Sequence, residues 1–185
     1  MKDPQIKGDT KVIGGPARLS YTHVFAKYAP EGGADGKYMT NILIPKTEKK
    51  TIAAIEAAIE AAKEQAVKSK WGGKLPKKLD TPLRDGDEKE DEIYHGHYYL
   101  NAKSNTRPGV VDKQGNPIMD EEEIYSGVWC YFSISFYGYD VSGNRGVACG
   151  LNNLKKYKDD DRLGGRASAD SDFSDFDDDI DDDDI

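Results

Sequence analysis

Apolar and polar residues alternate most cleanly over residues 127–140. Val128, Cys130, Phe132, Ile134 and Phe136 fall on one parity, and Trp129, Tyr131, Ser133, Ser135, Tyr137 and Tyr139 on the other. A period of two belongs to a strand with one buried face, so the first set faces a core and the second faces outward. Weaker β patterns occupy residues 11–13 and 17–25, and Gly14, Gly15 and Pro16 between them make either two strands or one kinked strand. Further strands are expected at 37–44, ending at Pro45, at 97–104, and at 145–151, the last joined to the long strand by a turn at Ser142, Gly143 and Asn144. Asp112, Lys113, Gln114 and Gly115 have the composition of a small hairpin tip.

One segment has a different period. Ile52, Ile55, Ile59, Ala62 and Ala66 recur at steps of three and four, which places them on one face of a helix. Thr47 is the expected N-cap with Glu48 in the first turn, Gly72 and Gly73 supply the stop, and the many alanines make a slim face able to pack closely on a sheet. Residues 29–36 are a turn-rich loop. Residues 75–96 lack periodicity and carry Asp85, Asp87, Glu88, Glu90, Asp91 and Glu92, which predicts a solvent-exposed connection that repels polyanions.

Charge changes the picture only when the chain is divided. The whole chain of 185 residues has a net charge of −8, but residues 159–185 hold 13 Asp against Arg162 and Arg166, a net of −11, which leaves the body at +3. The expected organisation is one β-rich domain at 1–158 and an acidic tail at 159–185, disordered from Arg162 onward because it has too little apolar surface to offset the entropy of ordering. Cys130 and Cys149 sit in apolar strand patterns and are expected as reduced core thiols. No leader pattern and no apolar run of membrane-spanning length is apparent, so a cytoplasmic protein with no membrane partner is expected.

The outward parity of the long strand carries the candidate chemistry. Aromatic rings on an open sheet suit nucleobases, since every base has a π-face and stacking of about 1–3 kcal/mol per base tolerates any sequence. Alternation on the preceding strand turns Tyr98, Leu100 and Ala102 inward and leaves Tyr99, Asn101 and Lys103 outward, beside Arg107. Trp129, Tyr131, Tyr137, Tyr139, Tyr99, Asn101, Lys103, Arg107 and Lys155 are therefore the candidate nucleic-acid contacts, with Lys156 and Lys158 in the same basic run. The plainer reading is that the outward rings pack under a loop or under the helix, which could cover one end of the aromatic face. In the tail, Phe173, Phe176, Ile180 and Ile185 interrupt the Asp run, a pattern suited to docking on a basic, apolar pocket of a partner protein. The same polyanion is expected to compete with nucleic acid for the body.

Enzymatic chemistry finds little support. His95 and His97, with Cys130 or Cys149, are the only metal-like grouping, the acids at 120–123 point in different directions, and no phosphate-cradling glycine motif is present. No cofactor or metal is expected. A protein-interaction scaffold or acidic chaperone working through the tail is the competing reading.

Particular stretches carry a resemblance. Gly15-Pro16-Ala17-Arg18-Leu19-Ser20-Tyr21, the segment from Tyr38 to Pro45, Tyr125-Ser126-Gly127, and above all Gly146-Val147-Ala148-Cys149-Gly150-Leu151-Asn152-Asn153 resemble the single-stranded-DNA-binding proteins of tailed phages and prophages, over the whole chain. The resemblance implies an OB-fold-like antiparallel barrel of five to six strands with one long inserted helix and an acidic tail, binding oligonucleotides on a strand face and flanking loops. It also implies single-stranded DNA as partner, with duplex DNA left open, a role in phage replication, recombination or repair in the host cytoplasm, and a tail that recruits replication or recombination proteins. Stacking and phosphate contact do not by themselves separate DNA from RNA; the choice of DNA comes from the resemblance.

Overall fold

The computed structural model describes residues 1–29 and 36–163. Its elements in chain order are β1 (Gln5–Lys7), β2 (Lys11–Tyr28), β3 (Lys37–Pro45), α1 (Lys49–Ser69), β4 (Arg84–Asp85), β5 (His97–Ser104), β6 (Gly109–Val111), β7 (Trp129–Val141) and β8 (Asn144–Lys158). Strands β5, β3, β2, β7 and β8 pair in that order, and β8 pairs back to β5, so five strands close into a barrel. Every seam of the barrel is antiparallel except the closing one, where β5 and β8 run parallel through Ala102↔Cys149 and Lys103↔Gly150. Strand β1 extends the sheet on β2, β4 on β5, and β6 on β8. The OB-fold-like barrel with one inserted helix is the architecture that the resemblance implies.

Alternation on β7 holds as expected: Val128, Cys130, Phe132, Ile134 and Phe136 are all buried in the barrel core. The glycine-proline break resolves into one continuous strand. On β2 the pairing to β7 shifts between Gly14 and Ala17, a bulge that moves Val12, Ala17 and Leu19 all onto the core side despite their mixed parity. Cys130 and Cys149 are free and buried, and burial pushes the Cys130 thiol up to about 12 and that of Cys149 higher still.

Helix α1 buries Thr51, Ala54, Ile55, Ala58, Ile59, Ala62 and Ala66 against β7 and β2, with Ile52 half-buried at the edge of the same face. It does not cover the outward rings of β7. The contact is made at Gly138, on the core parity, where Ala66 and the Trp71 ring fill the space a side chain would need. Trp71 donates its indole N–H to the Tyr139 carbonyl at 3.0 Å, which pins the helix end to the strand. The N-terminus differs from expectation. Glu48 occupies the cap position without a side-chain cap hydrogen bond, because a turn closed by Glu48 N to Pro45 O leaves Thr47 outside the helix. Gly72 and Gly73 end it in left-handed conformations, with Gly73 N donating to Val67 O at 2.7 Å.

Two further expectations need correction. Residues 75–96 are not merely an exposed connection: Tyr94 is fully buried, Leu83 packs partly on the core, and β4 pairs with β5. Strand β8 runs on to Lys158 instead of ending near Leu151. Its pairing to β7 skips Asn152 and Tyr157, and these two bulges break the alternation that would have marked the strand in the sequence. Lys155, Lys156 and Lys158 are therefore strand residues. The small hairpin tip is present, with Gly115 N donating to Asp112 O and Ile118 N to Val110 O.

Of the loop expected at 29–36, residues 30–35 lie outside the described residues. Of the segment expected to be disordered, Arg162 and Leu163 are docked on the barrel, Leu163 N donating to Ser126 O at 2.8 Å, and residues 164–185, including Phe173, Phe176, Ile180 and Ile185, lie outside the described residues. No helix among the described residues is long and apolar enough to cross a membrane.

Gly138→Ala overpacks the helix contact, and the expected loss of about 1–3 kcal/mol of unfolding free energy is read from denaturant melts. Both thiols should stay inert to a thiol reagent near neutral pH in the folded protein and react at the rate of unfolding.

Candidate nucleic-acid interface

The stretch Gly146 to Leu151 alternates small and apolar residues on β8. Val147, Cys149 and Leu151 are buried in the core, which leaves Gly146, Ala148 and Gly150 on the outer face. Those three stand beside Tyr139, Tyr137 and Ser135 of β7 respectively. On the other flank β5 pairs with β8 only at Cys149 and Gly150, then diverges, and Asp80 bridges to Gly146 in its place. The result is an open groove of about 640 Å³ with Ala148 at its floor. Tyr137 and Tyr139 form one wall, Tyr99, Asn101 and Lys103 the other, and Lys37, Arg84 and Lys89 add cations around it.

A Cβ on Gly150 would sit 3.4 Å from the Tyr137 ring, in ordinary contact. Tyr137 is 45% exposed, and the Lys70 ammonium lies 5.7 Å from its ring centre while donating to the Gly138 carbonyl. Burial pushes the Tyr137 phenol up, and burial with the neighbouring Asp80 does the same for Tyr139, so both rings carry neutral hydroxyls near neutral pH.

The acidic connection is arranged so that little of its charge faces this groove. Asp85 and Asp87 both grip the Lys46 ammonium at 2.7 Å, which holds the two carboxyls below and the ammonium above their usual ranges. Asp85 and Asp91 also accept backbone N–H groups of their own short turns. Tyr94 is buried beneath this segment, where its hydroxyl accepts a hydrogen bond from Asn41 Nδ2 at 2.7 Å and its ring meets that of Tyr99 edge-on at 5.0 Å. Lys89 is held over the rings of Tyr94, Tyr99 and Tyr21 at 4.9, 5.2 and 5.9 Å, and it lines the groove. Asp80 is the acid that does face the groove.

The groove brings together five of the expected contacts: Tyr99, Asn101, Lys103, Tyr137 and Tyr139. Arg107 lies elsewhere, with its guanidinium 5.2 Å over the Phe25 ring. Trp129 and Tyr131 lie at the far end of β7, roughly 26 and roughly 20 Å from Tyr137 along the strand at ~3.3 Å per residue, and Lys155 of β8 stands beside Tyr131. There Tyr131 meets Tyr157 edge-on at 5.6 Å, Lys2 and Lys113 approach those two rings, and Lys158 stands 4.9 Å over Trp129. Between the two ends, Asn152 bridges outward Ser135 and Ser133, donating to their hydroxyls at 2.9 and 3.5 Å.

Lys37, Arg84, Lys89 and Ala148 at the floor, flanked on β8 by Gly146 and Gly150, were missed in the sequence. The floor had a legible signal, the alternation of small and apolar residues; the three cations had none, since each is a single cation in a polar or acidic stretch. His95 and His97 bond to the Lys89 and His95 carbonyls, and no three metal-ligating side chains cluster among the described residues.

Comparison with known proteins points the same way as this geometry. The family model described as "Enterobacter phage Enc34, ssDNA-binding protein" matches residues 10–185. A protein called p50 from Acyrthosiphon pisum secondary endosymbiont phage 1 is 33% identical over 170 residues, covering 86% of this chain and 90% of that protein. Among solved structures, the single-stranded DNA-binding protein from bacteriophage Enc34 in complex with ssDNA aligns at TM-score 0.75 and 25% identity, over 89% of this chain and 95% of that one. The single-stranded DNA-binding protein gp2.5 of bacteriophage T7 aligns at TM-score 0.62 and 13% identity, over 85% and 97%, a likeness of fold alone.

Proposed function

The chain belongs to the family of the Enterobacter phage Enc34 ssDNA-binding protein, and from that membership we propose that it binds single-stranded DNA without sequence preference, as a non-enzymatic protein of phage DNA metabolism. The observation that carries this reading is the groove across β8, where tyrosines of β5 and β7 face each other over a floor of small residues with lysines at its rim. Bases stack on Tyr99, Tyr137 and Tyr139, and Lys37, Lys89 and Lys103 meet the phosphates. Asn101, at the centre of the wall, hydrogen-bonds to whichever base edge is presented. Asp80 sets the limit of the groove, since a strand following the cations turns away from a carboxylate.

The aromatic and basic far end of β7, with Trp129, Tyr131 and Lys155, continues the same path, and Arg107 serves a strand leaving the groove on the Phe25 side. The protein acts in the host cytoplasm during replication, recombination or repair. Residues 164–185 recruit replication or recombination proteins through Phe173, Phe176, Ile180 and Ile185, and their aspartates compete with the strand for the cationic surface. Duplex DNA binds more weakly, because its bases are already stacked on one another and only the phosphate contacts remain.

Tyrosine fluorescence and anisotropy titrations with unstructured oligonucleotide across a salt series test these assignments. Tyr137→Ala and Tyr99→Ala should each cost about 1–3 kcal/mol of single-strand affinity with an unchanged melting temperature. Lys103→Ala should flatten the dependence of log affinity on log salt by about 0.7. Gly150→Val, whose Cβ would stand 3.4 Å from both the Tyr137 ring and the Ser135 carbonyl oxygen, should lower affinity about tenfold while the fold stays intact; full affinity in that variant and in both tyrosine variants would move the binding face elsewhere. A chain ending after Leu163 should bind single strands more tightly than the full chain.

A further inference from the structure

Three adjacent strands place Arg18, Trp129 and Lys158 in one row: Arg18 of β2 pairs with Trp129 of β7, which pairs with Lys158 of β8. Paired residues share a face, so a guanidinium, an indole and an ammonium stand side by side on the outside of the barrel. Asp160, at the start of the acidic tail, lies across the row. Its Oδ2 accepts the Trp129 indole N–H at 2.8 Å, its Oδ1 is 3.6 Å from Arg18 Nη2, and Oδ1 also accepts the Asp161 N–H at 2.7 Å. These bonds, with Arg18 and Lys158 adding positive charge, hold the Asp160 carboxyl below its usual range.

The cationic side of the row is built in advance. Arg18 donates through Nε to the Gly127 carbonyl at 3.1 Å and through Nη2 to the Asp161 carbonyl at 2.7 Å, and its side chain is only 18% exposed. Around it the tail root is fastened by other contacts: Tyr125 OH donates to Asp159 Oδ1 at 2.8 Å, Lys156 pairs with the same carboxylate at 2.8 Å, and Arg162 lies 4.6 Å over the Tyr125 ring. Asp160 therefore sits where a singly charged oxyanion meets an N–H donor and a guanidinium next to an aromatic face. A phosphodiester of single-stranded DNA offers the same charge and the same acceptor oxygens, and brings a base that can stack, which a carboxylate does not.

We propose that the Arg18, Trp129 and Lys158 row is a second single-strand subsite, taking one backbone phosphate and its base, and that Asp160 fills it until a strand long enough to run from the groove displaces the carboxylate. The proposal rests on the single-strand reading of the groove. Because the two subsites are roughly 26 Å apart along β7, a short strand fills the groove alone and leaves Asp160 in place. A longer strand follows the outward face past Ser135, Asn152, Tyr131 and Tyr157 to the row.

The experiment uses the full chain and two oligothymidylates, of about 4 and about 16 nucleotides, the range of strand lengths single OB folds cover. The indole N–H resonances of Trp71 and Trp129 are followed, Trp129 being identified by the change Asp160→Asn produces. The expected result is that the long strand shifts the Trp129 resonance and the short strand leaves it. Asp160→Asn should tighten the long strand severalfold, and the affinity of the short strand should stay the same. Trp129→Ala, which removes both the stacking ring and the donor, should lose that gain while the Tyr137 response persists. A long strand that binds with Tyr137 responding and leaves the Trp129 resonance unmoved overturns the second subsite alone, as does an Asp160→Asn chain with unchanged long-strand affinity. If neither strand binds, the groove reading falls together with it.

Discussion

The parallel seam between β5 and β8 is the pairing on which the rest of the molecule depends. It consists of two register pairs, Ala102 with Cys149 and Lys103 with Gly150, yet it converts a meandering sheet into a closed barrel and leaves the core no open side. It also sets two strands that share no direct pairing, β5 and β7, on either side of β8. Because the seam ends after two pairs, β5 swings away and the outer face opens where it does so. Groove and barrel closure are thus two consequences of one short contact, and the small outer residues of β8 keep the opening from being filled by the protein's own side chains.

Much of this was legible in the sequence wherever one physical period ran undisturbed. The faces of β7 followed from strict alternation, and the buried face of α1 followed from steps of three and four. What was lost lay where the period breaks. Asn152 and Tyr157 are skipped in the ladder, so β8 read as ending at Leu151 and its lysines as a linker. Thr47 looked like a helix cap by residue type, but a turn after Pro45 placed Glu48 there. Tyr94 sat in a stretch dominated by charge, and nothing local distinguishes a tyrosine that will be buried against Asn41 from one left in water. The outward set on β7 was correct as a face, but a face does not say that its two ends serve neighbourhoods roughly 26 Å apart.

The acidic connection illustrates why charge composition alone misjudges a surface. By count it should repel DNA. In the fold, Asp85 and Asp87 are spent on Lys46 and on backbone N–H groups, a turn also caps itself on Asp91, and Lys89 is delivered to the groove on a support of three tyrosine rings. Surface ion pairs of this sort add little to stability. Their effect here is on the sign of the local potential, since paired carboxylates present weaker fields than free ones and the Lys89 ammonium, in no ion pair among the described residues, is left at the rim. A net body charge of only +3 is then compatible with a cationic groove.

The same distinction between charge and position governs the tail root. If Asp160 and a phosphodiester exchange at one row of donors, the exchange conserves charge at that row, so it releases few counterions and contributes little to salt dependence. Whatever preference the row has for DNA must then come from what the carboxylate lacks, a base to lay on the indole and its neighbouring rings. Stacking is the term least screened by salt and least sensitive to sequence. A binding face whose cations are already occupied by the protein's own acids therefore gains discrimination for unpaired bases over polyanions in general, because only a strand with free bases recovers more than it displaces. On that proposal duplex DNA, with its bases stacked internally, would gain nothing at Trp129 that Asp160 does not already supply, and the selection for single strands would lie in the aromatic residues of β7 and not in the lysines beside them.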